Sequence, residues 1–361
     1  MPLIDPYLNE VVQKGASDLH INTARKPIIR LHGMMVPLTS ETFSEETLSG
    51  MFQEIMPIHA RSIFEKNKDT DFAYSHDQIN RFRVNVFKDK GGIGAVFRHI
   101  PNKLPTFESI RLEQGGRNLC NLSKGLVLVT GPTGSGKSTT LASMINHINA
   151  TKALHIITVE DPIEFVYPSN KCLIHQRELN THTHSFTDAL RAILRQDPDV
   201  ILVGEMRDVE TTRLAIEAAE TGHLVFATLH TNTAYSTITR IINQFGEEEQ
   251  ELIRSMLADN LKGVICQTLL QREDGKSGRV AAREIMLYTV GGANLIRENK
   301  LHQIQSILDS NLEMGMISLN TSLVNFVSQG LITAEQAITR SMDQKDLGGR
   351  LQRIGIKVKD F

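Results

Sequence analysis

Gly131, Pro132, Thr133, Gly134, Ser135, Gly136, Lys137, Ser138 and Thr139 set three glycines, a lysine and a run of hydroxyls into nine consecutive positions. The first eight fit G-x-x-x-x-G-K-[ST] at every position. Glycines let a backbone turn sharply and bring N–H groups close to phosphate oxygens. A helix starting just after the turn would add the positive end of its dipole. Lys137 is placed to neutralise β- and γ-phosphates, and Ser138 to offer a hydroxyl to Mg2+. The chemistry is that of a nucleoside triphosphate held with its metal ion.

Holding a nucleotide is not yet cleaving it. Cleavage needs one carboxylate to position or deprotonate water and another on the metal side. Two segments supply acids. Thr158 to Phe165 carries Glu160, Asp161 and Glu164 just past an apolar run. Asp199 to Asp208 carries four apolar residues into Gly204 and Glu205, a Walker B-like strand with glycine where an aspartate is usual. Strand ends of a parallel sheet meet at one crevice, so Glu160, Glu164 and Glu205 can converge on one phosphate. Each alone reads equally well as a solvated loop acid or a helix cap. His223 and His230 bracket a further apolar run. A histidine there can sense a γ-phosphate, although a lone histidine is more often structural. His182 and His184 alternate like metal ligands but lack a third, and read as loop residues.

The apolar runs Leu126–Thr130, Ile156–Val159, Val200–Val203 and Leu224–Leu229 are short and nearly continuous, as in strands buried on both faces. Helix-like stretches lie between them at Ser138–Asn149, Phe186–Gln196 and Val209–Thr221. That alternation predicts an α/β domain with a mainly parallel sheet. From about residue 247 the chain reads as helical, with Leu252, Ile253, Met256, Leu257, Leu261, Val264 and Ile265 on one helical face. Capping-box spacing at Thr333 to Gln336 predicts a further helix. Upstream, Thr42 to Glu45 has the same spacing before Leu48, Met51, Phe52 and Ile55. Phe82, Val84 and Val86 alternate with Arg81, Arg83 and Asn85 as in a strand, and Gly91 and Gly92 turn into a second strand, Ile93–Phe97. Pro101 and Pro105 mark an extended linker. The expected domains are 1–100, a linker 101–106, a P-loop domain 107–290 and a helical subdomain 291–361.

With 361 residues, about two domains are expected. Thirty-nine basic and 41 acidic residues give a net charge of −2, which argues against a broad nucleic-acid-binding surface, though not against a local basic groove. Hydrophobic residues at 40% exclude a disordered chain. Cys120, Cys172 and Cys266 are odd in number and far apart, so neither a disulfide framework nor a paired metal site follows. No apolar span reaches membrane length, and the N-terminus lacks the pattern of a secretory signal. A cytosolic protein is expected, with peripheral attachment to a membrane machine left open.

Taken together, these segments resemble the ATPases of the type II secretion and type IV pilus superfamily, on its retraction branch. The resemblance spans nearly the whole chain. Gly15-Ala-Ser-Asp-Leu-His20 is similar to the N-terminal signature, and Arg81-Phe-Arg-Val-Asn85 to the arginine-bearing strand. Glu160–Phe165 resembles the Asp box, Val203–Asp208 the atypical Walker B, and Thr221–Thr231 the His box. Gln176–Glu178, Leu194–Asp199 and Gly278–Ala282 also match family segments. The set, in this order, is highly specific.

The resemblance implies an N-terminal PAS-like α+β domain and a C-terminal RecA-like P-loop domain with a helical extension. It implies a homo-hexamer that hydrolyses ATP with Mg2+, acts on an inner-membrane pilus platform protein, and draws pili back, alone or beside a paralogue. It places the protein in the cytoplasm at the pilus base, with no nucleic-acid partner. It carries phosphate and Mg2+ binding to Lys137 and Ser138, the base to Glu164, and the Walker B acid to Glu205. Glu160, His223 and His230 join the nucleotide site, and Arg81 and Arg83 reach it from the first domain. Arg207 and Arg279 follow more loosely. In one stretch, Gly292–Glu298, only Leu295–Glu298 match the family's retraction-linked segment. An accessory or secretion role stays open, as do a DNA-translocating RecA-like motor and a nucleotide-gated structural subunit. The paired-cysteine zinc motif of the extension and secretion members is absent from the sequence.

Overall fold

The computed structural model describes all residues except 32, 76–79, 101–102, 276–277 and 357–361. Pro101 and Asn102 of the expected linker therefore lie outside the described residues. Two compact units form: one from Met1–Leu104, Asp161–Val166 and Glu178–His182, the other from Pro105–Glu160, Tyr167–Arg177 and Thr183–Phe361.

The first unit holds a six-stranded antiparallel sheet. Its strands are β1 (Asp18–Asn22), β2 (Ile28–Leu31), β3 (Met34–Pro37), β4 (Asp69–Ser75), β5 (Arg81–Asp89) and β6 (Gly92–Ile100), in the order β3-β2-β1-β6-β5-β4. Phe82, Val84 and Val86 are fully buried, and Val84 pairs with Phe97. The intervening Arg81, Arg83 and Asn85 stay half-exposed, which is the expected period of two. Asp89 and Gly92 close a tight hairpin, and the Asp89 carboxylate accepts from the Gly91 N–H at 2.6 Å. Leu48, Met51, Phe52 and Ile55 form the buried stripe of the helix Glu45–Ile55. Its cap is Ser44, not Thr42. Ser44 is extended, at φ −72° and ψ 160°, and its hydroxyl accepts from the Thr47 N–H, the third of the helix, at 3.1 Å.

The second unit is built on a seven-stranded sheet. Its strands are β7 (Gly125–Thr130), β8 (His155–Glu160), β9 (Leu173–Glu178), β10 (Val200–Val203), β11 (Leu224–Leu229), β12 (Leu261–Gln271) and β13 (Arg279–Leu287). The order is β13-β12-β7-β11-β10-β8-β9. β12, β7, β11, β10 and β8 pair in parallel, and β13 closes the edge antiparallel to β12. Every residue of β7, β10 and β11 is buried, because helices cover both sheet faces.

The helical reading of Leu252 to Ile265 holds only in part. The helix Glu247–Asn260 buries Ile253 and Leu257 but leaves Leu252 58% exposed. Leu261, Val264 and Ile265 begin β12, which is buried between β7 and β13. A strand covered on both faces is apolar throughout, and a short apolar run fits either period. Helices follow as far as Gln344–Arg353. Val290–Arg297 is capped by the Thr289 hydroxyl, which accepts from the Gly292 N–H at 3.0 Å, and it carries glycines at 291 and 292. Both halves of the Thr333–Gln336 capping box form. Leu323, Phe326, Leu347 and Leu351 pack with Leu270 and Val280 of the β12–β13 hairpin.

Candidate functional site

β7 delivers the chain into the glycine-rich turn. Gly131, Gly134 and Gly136 have φ of 143°, 77° and 88°, a region that favours glycine. The helix Lys137–Thr151 starts at once, with Gly136 at its cap position and no side chain capping it. No side-chain cap therefore stands between a ligand and the start of this helix. Lys137 Nζ folds back over the turn and donates to the Gly131 carbonyl at 2.8 Å and the Pro132 carbonyl at 3.3 Å. The Ser135 hydroxyl is buried with no hydrogen-bond partner among the described residues. An uncapped helix start, a lysine on the turn and an orphan hydroxyl fit a polyphosphate. Gln267 of β12 donates to the Ser135 carbonyl and accepts from the Thr140 hydroxyl. Sequence reasoning missed it, because it lies more than 120 residues along the chain from the turn.

The acids and His230 come from neighbouring strand ends. Parallel register sets Val203 beside Ala227, and Leu229 beside Thr130. Past β10, the Gly204 N–H donates to the Val159 carbonyl at 2.7 Å and the Met206 N–H to the Thr228 carbonyl at 3.1 Å. Glu205 is fixed between them. Its Oε1 lies 3.0 Å from His230 Nε2 and its Oε2 2.8 Å from Arg207 Nε. The other ring nitrogen of His230 is 3.5 Å from Lys137 Nζ. Lys137, His230 and Glu205 therefore form one chain of contacts at the mouth of the turn. Gly204 explains the missing aspartate: a Cβ there would sit 3.0 Å from the Val159 carbonyl oxygen and 3.2 Å from Glu160 Cα. Asp208, the last residue of the segment, caps the helix Val209–Glu220 instead, accepting from the Thr211 N–H at 2.8 Å.

Other expected residues are placed differently. Glu160 is buried at the end of β8, where it accepts from the Thr158 hydroxyl at 2.7 Å and from Gln176 Nε2 at 3.3 Å. His223 precedes β11 at its opposite end, with Nδ1 2.8 Å from the Ala218 carbonyl oxygen. Six strand residues separate it from His230, roughly 20 Å along the strand. His223 is thus not brought to the phosphate turn of this chain. Arg279 opens β13, exposed, and pairs with Gln271 at the tip of the hairpin.

Within the first unit, Arg81 donates to Glu178 Oε2 at 2.6 Å. The same oxygen accepts the Ile163 N–H at 3.1 Å, anchoring the segment that carries half-buried Glu164. Glu178 is the organiser that sequence reasoning left out of the site; its signal was the acid closing Gln176-Arg177-Glu178. Arg83, more exposed, lies 3.6 Å from Asp71. His182 Nδ1 accepts from the Glu178 N–H at 3.0 Å.

Comparison with known proteins places this geometry. The family described as Type II/IV secretion system protein matches residues 1–339. The type IV pilus retraction ATPase PilT of Pseudomonas aeruginosa is 48% identical over 325 residues, covering 90% of this chain and 94% of that protein. The type IV pilus ATPase PilU of the same species is 38% identical over 343 residues, covering 95% and 90%. A crystal structure of the pilus retraction motor PilT with bound ADP superposes with a TM-score of 0.87 at 45% identity, covering 95% of this chain and 98% of that one. The α/β architecture, with its N-terminal sheet unit and helical C-terminal extension, is the one expected. The chain belongs to the type II/IV secretion system protein family.

Proposed function

We propose that this chain is the subunit of an ATP-hydrolysing motor that retracts type IV pili. The observation that carries the reading is the 48% identity to a retraction ATPase along 90% of the chain, phosphate turn included. Lys137 and the turn amides hold the β- and γ-phosphates. Ser138 and Glu205 offer hard oxygen donors of the kind Mg2+ prefers, and Glu205 is held ready by His230 and Arg207. Bound Mg2+ would neutralise charge developing on the phosphates. Glu164 serves as the base that activates water, and Arg81 and Arg83 steady the nucleotide. His230, touching both Glu205 and Lys137, reports whether the γ-phosphate is present. Glu160, Arg207 and Arg279 take supporting roles.

In this reading the subunits form a homo-hexamer. The ring works from the cytoplasmic side of the inner membrane on a pilus platform protein, with or without a PilU-like paralogue. Lys137→Ala should abolish ATP turnover. Glu164→Gln should leave ATP binding intact and slow hydrolysis by about 100-fold or more. Comparable slowing in Glu205→Gln alone would exchange the two acids' roles. Unchanged turnover in Lys137→Ala would refute the site. In the host, deletion should leave pili that extend and do not shorten.

A further inference from the structure

Gln267 uses both ends of its carboxamide on the phosphate turn. It is 3% exposed. Nε2 donates to the Ser135 carbonyl at 2.7 Å, and Oε1 accepts from the Thr140 hydroxyl at 2.8 Å. A carbonyl can only accept, so the chemistry fixes which end faces Ser135. Ser135 lies in the turn and Thr140 at the start of the helix, so one side chain spans the junction between them. The approach is close. A Cβ on Gly131 would lie 2.3 Å from the main-chain carbonyl oxygen of Gln267, and one on Gly136 would lie 3.2 Å from its side-chain Nε2.

The consequence is directional. The Ser135 carbonyl and the Gly136 N–H belong to one planar trans peptide and point opposite ways. Drawing the carbonyl toward Gln267 turns the Gly136 N–H away from it, toward the side on which a phosphate is held. The partner of Gln267 across the antiparallel pair is Arg283, and paired residues share a sheet face. Arg283 is 1% exposed and donates to the Ile110 and Arg111 carbonyls and to Glu113.

We propose that Gln267 is a positioning residue for nucleotide binding, holding the turn in its phosphate-ready form before ATP arrives. The inference rests on the reading of 131–138 as the nucleotide site. The test uses the full-length protein, a fluorescent non-hydrolysable ATP analogue, and steady-state ATPase kinetics. Gln267→Leu keeps the size and removes both hydrogen bonds. Analogue affinity should fall about tenfold, with KM rising in parallel and kcat within about threefold. Thr140→Val removes the Oε1 half and should weaken binding by itself, yet add nothing in the Gln267→Leu background. A lower thermal midpoint with unchanged affinity would mean a merely structural role and overturn the proposal. If Gln267→Leu does not fold, Thr140→Val decides: weaker binding supports the proposal and unchanged binding overturns it. Lys137→Ala separates the two levels. Binding lost there but intact in Gln267→Leu sinks this inference alone, whereas no binding by the wild type sinks the site reading as well.

Discussion

Replacing Glu205 by glutamine removes one charge while keeping shape, and two effects of very different size should follow. The carboxylate is 20% exposed, but its partners His230 and Arg207 are 46% and 60% exposed. Pairs so open to water are each worth about 1 kcal/mol or less, so folding stability should fall by no more than roughly 2 kcal/mol. The effect on turnover should be larger. A charge that holds a metal ion against developing phosphate charge is worth several kcal/mol, and 3–4 kcal/mol corresponds to roughly 10²- to 10³-fold in rate. Phosphate release at saturating ATP, measured across a Mg2+ titration beside a urea unfolding curve, reads both. The expected result is a collapse of kcat, a weaker Mg2+ response and a nearly intact unfolding midpoint. A variant with kcat within threefold of wild type and the same Mg2+ dependence would refute the metal-side role.

Two further perturbations test the surroundings. Gly204→Asp would restore the residue usual in Walker B strands, yet its Cβ meets backbone at 3.0 and 3.2 Å. It should destabilise by about 1–3 kcal/mol and lower ATPase activity, and a rise in activity would contradict the packing argument. Burial pushes the carboxyl of Glu284 up to about 7, against the ordinary 4.5, even though the N–H groups of Ala234 and Leu319 favour its charge. Because the folded state holds that proton more tightly, Glu284 contributes stability at pH 4.5 that is lost as pH rises to 7. The stability of Glu284→Gln relative to wild type should therefore improve by up to roughly 3 kcal/mol between those pH values, read from urea midpoints. A pH-independent difference would rule the titration out.

The phosphate turn was legible because its chemistry permits few residue types at each position. The buried strands around it were legible because their apolar runs of four to six residues are too short for helices and lie between helix-like stretches. What escaped depended on tertiary pairing. Leu261 to Ile265 look helical until β7 and β13 are known to flank them. The cap at Ser44 was hidden by the capping-box spacing of Thr42 and Glu45, because Ser44 is followed three residues on by Thr47 rather than by Glu or Gln. Gln267 and Glu178 act across long sequence separations; Gln267 carries no local signature, and Glu178 shows only as the acid that closes Gln176-Arg177-Glu178. His223 and His230 bracket one apolar run in sequence, and only the parallel register of β11 with β7 shows that the His230 end meets the phosphate turn.

The helix Val290–Arg297 carries its glycines side by side in its first turn, and each forgoes roughly 0.5–1 kcal/mol of helix preference relative to alanine. Its order leans on one threonine hydroxyl and on the burial of Ala293 and Ile296. That makes it a natural place for amide protons to exchange early, by local fraying well below the global unfolding threshold. A sequence-matched stretch, Leu295 to Glu298, thus hangs from a soft start, and its neighbours can reshape it at little energetic cost.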